Sequence, residues 1–413
     1  MSYARCAFGA AAVAIAAGSS FGAMNVLLDF NANWVTDLNN AAVAAGVPAF
    51  NLVERSTIEA NIKASLELMY QDFDVSFSTA SPGGSFTTIN FGAGAPPSPG
   101  VLGEANNLDF GNHLVVDTVR MYLPSFPGFI ENFEPRAQQI TEMSFALAGT
   151  AGHELFHSLG GEHNHAYGVA GISPLTYGAT GGLQNPGSVM ATGPSGLTEL
   201  GREVQRSFNR WEKLILDIAG GFNAANGGFG QTGTSLTTNP IQQSVHDRLA
   251  DVGSTPATAQ ALTLATAEES GYRAAHTGGT LTPDGDVDFF KFTVNSPGTV
   301  SIETFSTSLY NDSADTTLQL FDTDGVTSLA FNDDISFNGN TIFAGGQSQR
   351  DSWLLNIPIN AAGTYFIKVA QFAADGNVGD YSLLVGFDPI PAPGAFALLA
   401  IGGLASARRR RMA

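Results

Sequence analysis

Cysteine is almost absent: Cys6 is the single one in 413 residues. One thiol excludes an intrachain disulfide framework and a cluster of thiolate metal ligands, so stability must come from packed cores and bound ions. Charge is also scarce, at 13% of residues, and basic residues are the scarcer sign, 18 against 37 acidic, for a net charge of −19. Such a surface repels phosphate backbones and anionic lipid, which excludes nucleic acid as a partner. What remains is a chain with 44% apolar residues, long enough for two domains that each bury a core.

The termini read as addresses. Arg5 precedes the small-residue apolar run 6–17 and then Gly18-Ser19-Ser20-Phe21-Gly22-Ala23. That order predicts a signal peptide over residues 1–22, cleaved near Gly22 or Ala23, where Cys6 would also be lost. A buried N-terminal helix is the competing reading, weakened because Ala and Gly offer little to pack. At the other end, 389–394 reads Pro-Ile-Pro-Ala-Pro-Gly, followed by an apolar stretch 395–407 and four arginines, Arg408 to Arg411. The stretch is shorter than the roughly 17–25 residues of an ordinary span, with arginines placed to hold its end in the cytoplasm. Loss of both ends removes five arginines and takes the charge to −24. This tail (389–413) resembles the PEP-CTERM sorting signals of Gram-negative bacteria, with Ala392 where the usual Glu stands. The resemblance implies transient inner-membrane anchoring, processing by an exosortase-type enzyme, and an exported protein, extracellular or on the cell surface.

Between the ends, periodicity divides the chain. Residues 25–30 alternate as a strand, and 55–73 place Ile58, Ile62, Leu66 and Met69 at helical spacing. Strand-like runs follow at DVSFSTA, FTTINFG and 113–123. A long helix is predicted over 138–159 and a second, amphipathic one over 197–218, with Gly-rich irregular chain between them to build a cleft. Residues 221–254 read as a Gly-rich linker, so a first unit spanning 23–220 is expected to fold by itself. From 255 to 388 short alternating strands with Gly, Asp and Asn turns predict an all-β sandwich.

The chemistry concentrates in residues 153–163, His-Glu-Leu-Phe-His-Ser-Leu-Gly-Gly-Glu-His. Histidines four apart share one helix face, so His153 and His157 can reach one tetrahedral zinc ion while Glu154 faces a water on it. Gly160 permits the left-handed turn that stops the helix and returns His163 as a third ligand. Chance would produce the whole pattern in on the order of one such sequence in a hundred thousand. His165 could swing towards the metal, whereas His113, His246 and His276 have no partner at metal spacing. Three neutral imidazoles would leave the ion charge-rich enough to ionise water near neutral pH, with Glu154 as general base that takes the proton and passes it to a leaving amine.

The segment is similar to the metzincin motif HExxHxxGxxH at every fixed position, and the preceding order of strands and helix looks like that family's upper subdomain. The resemblance implies an α+β metzincin-like catalytic domain, a zinc endopeptidase acting on protein or peptide. It also implies a methionine turn under the metal, for which Met190 in Gly187-Ser188-Val189-Met190-Ala191-Thr192-Gly193 is the match. Thr192 replaces the tyrosine that some subfamilies carry there, which opens the question of Tyr167 or Tyr177 as the phenol, and Asn164 follows the third ligand. A substrate strand is expected to lie antiparallel to an edge strand, for which 113–123 is the candidate.

The second domain resembles bacterial pre-peptidase C-terminal domains, jelly-roll-like sandwiches appended to secreted peptidases. The resemblance rests on 285–290 (GDVDFF), 315–320 (DTTLQL), 332–334 (NDD) and 363–365 (GTY). Calcium between these acids and plain turn formation by Asp and Asn are both compatible with the pattern. Two other functions compete with an active peptidase. One is a catalytically weak matrix or adhesion protein, disfavoured by the retained Glu154. The other is a zinc hydrolase of non-peptide amides.

Overall fold

A computed structural model describes residues 24–106, 108–110, 112, 116–166, 176–177, 187–191, 197–218, 252–267, 269–306, 314–333, 336–337, 351–374, 376 and 378–390. The signal-peptide segment, nearly all of the expected linker and the tail from 391 lie outside these residues. No helix among the described residues is long and apolar enough to cross a membrane.

The first unit is a sheet backed by helices. Its elements are β1 (Met24–Asp29), α1 (Ala32–Ala44), α2 (Leu52–Met69), β2 (Val75–Ser78), β3 (Thr87–Asn90), β4 (Gly103–Ala105), β5 (Thr118–Met121) and α3 (Arg136–His157). The strands run in the order β2-β1-β3-β5-β4. Pairing is parallel except at β4, which runs antiparallel to β5 on the edge. Among the described residues the edge strands are therefore β2 and β4, and β5, within the expected candidate 113–123, is interior. Residues 113–115 lie outside the described set.

Helix α2 buries Ile58, Ile62, Leu66 and Met69 as its spacing predicts, and a capping box between Asn51 and Glu54 starts it. Helix α1 is an addition to the expected order. Its signal was an N-cap, Asn31, whose side chain accepts from the Asn33 N–H, with Trp34, Leu38, Ala41 and Ala42 on the buried face. Helix α3 packs on α2 through Gly152, where a Cβ would stand 2.3 Å from Met69 Sδ. The absent side chain sets how closely the two helices approach.

The helix expected over 197–218 is two pieces, α4 (Glu199–Arg202) and α5 (Arg210–Ile218), after the short strand β6 (Thr176–Tyr177). Two backbone contacts pull the intervening residues out of helix: Val189 N–H donates to Ser207 O at 3.2 Å and Ser207 N–H to Gly187 O at 3.1 Å. Asn209 then restarts the helix, its side chain accepting from the N–H groups of Trp211 and Glu212.

The second unit comprises β7 (Gln260–Leu262), β8 (Ala265–Ala267), β9 (Tyr272–Leu281), β10 (Val287–Val294), β11 (Gly298–Phe305), β12 (Thr316–Phe321), β13 (Ser328–Asn332), β14 (Ser336–Phe337), β15 (Trp353–Ile359), β16 (Gly363–Gln371) and β17 (Gly379–Pro389). Two five-stranded sheets, β13-β12-β16-β10-β7 and β15-β11-β17-β9-β8, make the sandwich, and β14 pairs in parallel with β6. Phe290, Phe292, Leu318, Leu320, Ile367 and Val369 of one sheet share a core with Leu281, Val300, Ile302, Leu383 and Val385 of the other.

A second apolar cluster crosses from one unit to the other. It joins Phe110, Trp211, Leu214 and Ile215 to Ala267, Tyr272, Phe305, Trp353 and Leu384. Phe110 stacks on Phe305 with centroids 3.7 Å apart, and Trp211 packs on Tyr272 and Trp353. The Trp211 indole N–H donates to Glu303 at 2.6 Å, and Arg210 pairs with Asp388 at 2.6 Å. The units thus share a core, where the sequence suggested a tether between independent bodies.

Candidate metal centre

His153 and His157 leave one face of α3 in its last turn, and the chain then reverses. Gly160 has φ +93, and a Cβ there would lie 2.5 Å from Phe110 Cα, so both conformation and space require glycine. The reversal is closed by the Gly160 N–H on His157 O at 3.0 Å and the Gly161 N–H on Phe156 O at 2.9 Å. It delivers His163 at the head of a 3-10 turn, His163–Ala166.

The three rings converge through Nε2. His153 and His163 are 3.0 Å apart at these atoms, and His157 stands 3.2 Å from each. On the far side, His153 Nδ1 meets Val189 O at 2.8 Å and His157 Nδ1 meets Gly161 O at 2.7 Å. A carbonyl only accepts, so Nδ1 of both rings carries the proton and both Nε2 lone pairs point inward. Burial, together with His157 and His163, drives His153 well below the usual histidine range, which keeps it neutral. Lone pairs facing one another fit a cation between them. Tetrahedral zinc, with bonds of about 2.0–2.1 Å, sets its nitrogens roughly 3.3 Å apart. The residues present therefore fit the ion.

Glu154 does not join the three nitrogens. It lies in a cleft of about 310 Å³ lined by Gly100, Val101, Leu102, Gly103, Thr150, His153, His163, Ala191 and Arg202. Burial pushes its carboxyl up to about 8, opposed by a hydrogen bond from the Ala105 backbone and aided by the charge of Glu104. Glu104 itself accepts from the Tyr122 hydroxyl at 2.6 Å, and burial followed by that bond raises Tyr122 to about 12. Strand β4 comes so close that a Cβ on Gly103 would stand 2.7 Å from Glu154 Cγ.

Met190 is fully buried in the turn 187–191. That turn is braced from beneath by two groups that sequence reasoning missed. Arg206, 2% exposed, donates to the carbonyls of Gly149, Ser188, Val189 and Ala191. Its guanidinium thus locks the Val189 carbonyl that holds His153. Burial, then the charge of Arg202, lowers it to about 9. Glu212 accepts from Ser188 Oγ and from the Met190 N–H. Both lie in the segment 197–218 that the spacing reads as one amphipathic helix; Arg206 falls in the break between α4 and α5 and is buried there. Arg202, the one cation among the described residues that line the cleft, was also not singled out.

Of the other residues weighed, Tyr167, Thr192, His113 and His246 lie outside the described residues, as do the side chains of Asn164, His165 and Tyr177. His276 is buried, with Nε2 3.0 Å from Ser382 Oγ.

Residues 286–371 match the family described as bacterial pre-peptidase C-terminal domain. The C-terminal sandwich carries a domain of that family. Among solved structures, the chain is similar to the pre-peptidase C-terminal domain of collagenase from Bacillus anthracis, at 21% identity over 31% of this chain and 93% of that one, TM-score 0.21. It is also similar to PliG, a periplasmic inhibitor of g-type lysozyme, from Aeromonas hydrophila, at 15% identity over 34% of this chain and 100% of that one, TM-score 0.21. PliG of Salmonella Typhimurium gives 18% identity over 28% and 91%, TM-score 0.18. No curated protein matches the chain.

Proposed function

We propose that this chain is an exported zinc endopeptidase with a metzincin-like first unit, its metal held by His153, His157 and His163 and its general base Glu154. The observation that carries the reading is the meeting of three Nε2 atoms at 3.0–3.2 Å, two of them fixed as lone-pair donors by carbonyls behind. Three nitrogen ligands with a cleft in front is the donor set of a catalytic zinc.

Zinc in such a setting supplies Lewis acidity towards a carbonyl and lowers the pKa of water to near neutrality. Glu154, with its raised proton affinity, takes the water proton and gives it to the departing amine. The Ala105 N–H holds its carboxylate in place. A peptide adding to the open edge of β4 would run past Gly103 and bring its carbonyl to the histidines. Arg202 would supply positive charge to the cleft.

A domain of a family named for peptidases fits this context, and such domains occur in secreted proteins. The terminal segments, read as a signal peptide and an exosortase-processed tail, support export in the same way. Metal analysis of the full chain after dialysis should find one equivalent of zinc. Casein or gelatin hydrolysis should vanish with chelator and return with zinc. Metal-free protein with full activity, or zinc-loaded protein that cuts no peptide, would remove the reading.

A further inference from the structure

The histidines belong to the first unit, but the turn that joins them rests on more than that unit. From the connection between β4 and β5 come two residues that meet the end of α3. The Asp109 N–H donates to His157 O at 3.2 Å, the same carbonyl that accepts the Gly160 N–H at 3.0 Å. Phe110, next in the chain, lies directly against Gly160: a Cβ there would stand 2.5 Å from Phe110 Cα and 2.8 Å from its Cβ. The place of Phe110 therefore limits how far the turn can relax, and with it where His163 comes down.

Phe110 is held in turn by the sandwich. Its ring lies flat on Phe305, with planes 10° from parallel, and stands edge-on to His276 of β9 at 5.4 Å. Both phenylalanine rings are fully buried. Phe305 ends β11, a strand paired on one side with β15 and on the other with β17. Its neighbours are pinned as well: the Thr304 N–H donates to Ser352 O at 2.9 Å and the Ser306 N–H to Asp351 Oδ1 at 2.6 Å. A line of close contacts thus runs from an interior strand of the sandwich, through Phe110, to the metal-binding turn.

We infer that Phe305 is a positioning residue for the metal centre: it backs Phe110 against the Gly160 turn and so holds His163 over His153 and His157. Close-packed rings transmit displacement, because neither can move without opening a void or a clash. With Phe305 shortened, Phe110 would settle into the space and the reversal would lose its backing. His153 and His157 share one helix and are fixed from behind by the carbonyls of Val189 and Gly161. The disturbance therefore falls on His163, the ligand that lies beyond α3. The sandwich is in this sense part of the metal site's construction. The inference rests on zinc binding at the three histidines and not on what the centre catalyses.

The test measures zinc affinity of the full chain by competition with a chromophoric chelator, at a temperature where circular dichroism shows each variant folded. Phe305→Ala should weaken zinc binding at least about tenfold. Phe305→Leu, which refills most of the volume against Phe110, should restore it to within about threefold of wild type. Leu320→Ala, in the separate sandwich core, should lower Tm yet leave zinc affinity within about threefold. Cobalt(II) in place of zinc gives a second reading, since its visible absorption follows ligand geometry. Phe305→Ala should change that spectrum, and Leu320→Ala should not. Should Phe305→Ala fail to fold, wild type carries the test by reciprocity: zinc should slow amide exchange over 303–306 more than over 318–321. Wild-type zinc affinity in Phe305→Ala, an equal loss in Leu320→Ala, or no zinc-dependent protection at 303–306 overturns the inference. Wild-type protein that binds no zinc overturns the metal centre itself, and this inference with it.

Discussion

Glu154 and His157 lie within one turn of α3, yet one faces a cleft and the other an imidazole cluster, and that difference separates their substitutions. Glu154→Gln preserves shape and leaves the three nitrogens untouched, so zinc content and thermal stability should stay near wild type. Turnover should fall by roughly 10²-fold to 10⁴-fold, about 3–5 kcal/mol of barrier. His157→Ala removes a nitrogen from the cluster, so metal and activity should disappear together, with some loss of Tm because the ion binds only the folded chain. Metal analysis beside a peptide-cleavage assay separates the two. Near-normal turnover in the first variant, or stoichiometric zinc in the second, would show the roles to be wrongly assigned. At this scale the candidate site was readable where chemistry is local. Histidines four apart on a helix meet by geometry, and Gly160 announced its turn. Arg206 and Glu212 were hidden because their partners, the carbonyls and hydroxyl of residues 187–191, come from a distant stretch that only tertiary structure brings over them.

At the scale of elements, the reversal after α3 decides whether His163 reaches its partners. Gly160→Ala meets a positive φ and a backbone atom at 2.5 Å, neither of which a rotamer change can relieve. We expect a loss of at least about 2 kcal/mol in urea unfolding and zinc binding weakened by tenfold or more. An alanine variant with wild-type zinc affinity would show that the turn is not what positions His163. Elements with one buried face were legible: α2, β1, β10 and β16 carry their period in plain view. Those without it were not. Strand β9, YRAAHTGGTL, is buried on both faces for most of its length, so no alternation survives. The 197–218 segment has helical periodicity throughout, but backbone pairing of Ser207 with residues 187–189 overrides it midway.

For the molecule as a whole, the shared cluster governs behaviour. A chain ending at residue 218 would bare Trp211, Leu214 and Phe110, so we expect it to be insoluble or to unfold well below the full protein, as static light scattering and calorimetry would show. A soluble, zinc-binding fragment of normal stability would mean that the cluster contributes little. The same joint contains a titrating group. Asp217, 2% exposed, has its carboxyl pushed up to about 7 by burial and then by Glu269. A folded pKa above the unfolded one means that the folded state holds the proton more tightly. This contribution is therefore fully present below about pH 4 and is lost as pH rises towards and through 7. Asp217→Asn should remove that loss and stabilise the protein at pH 8 by on the order of 1–3 kcal/mol, with little change at pH 4. Urea titrations at the two pH values check the sign, and an equal effect at both would rule it out.

The stack of Phe110 on Phe305 and the wedge of Trp211 between Tyr272 and Trp353 have a consequence for survival after proteolysis. Neighbouring proteases will nick exposed chain, and for a protein with an appended module such a cut ordinarily sheds the module. A cut within 219–251 would shed nothing, because separating the pieces means wetting five large rings at once, on the order of several kcal/mol. The nicked molecule would run as one particle on a sizing column and fall into two only under denaturant. Its working lifetime is then set by how often the joint opens, not by how often the backbone is severed.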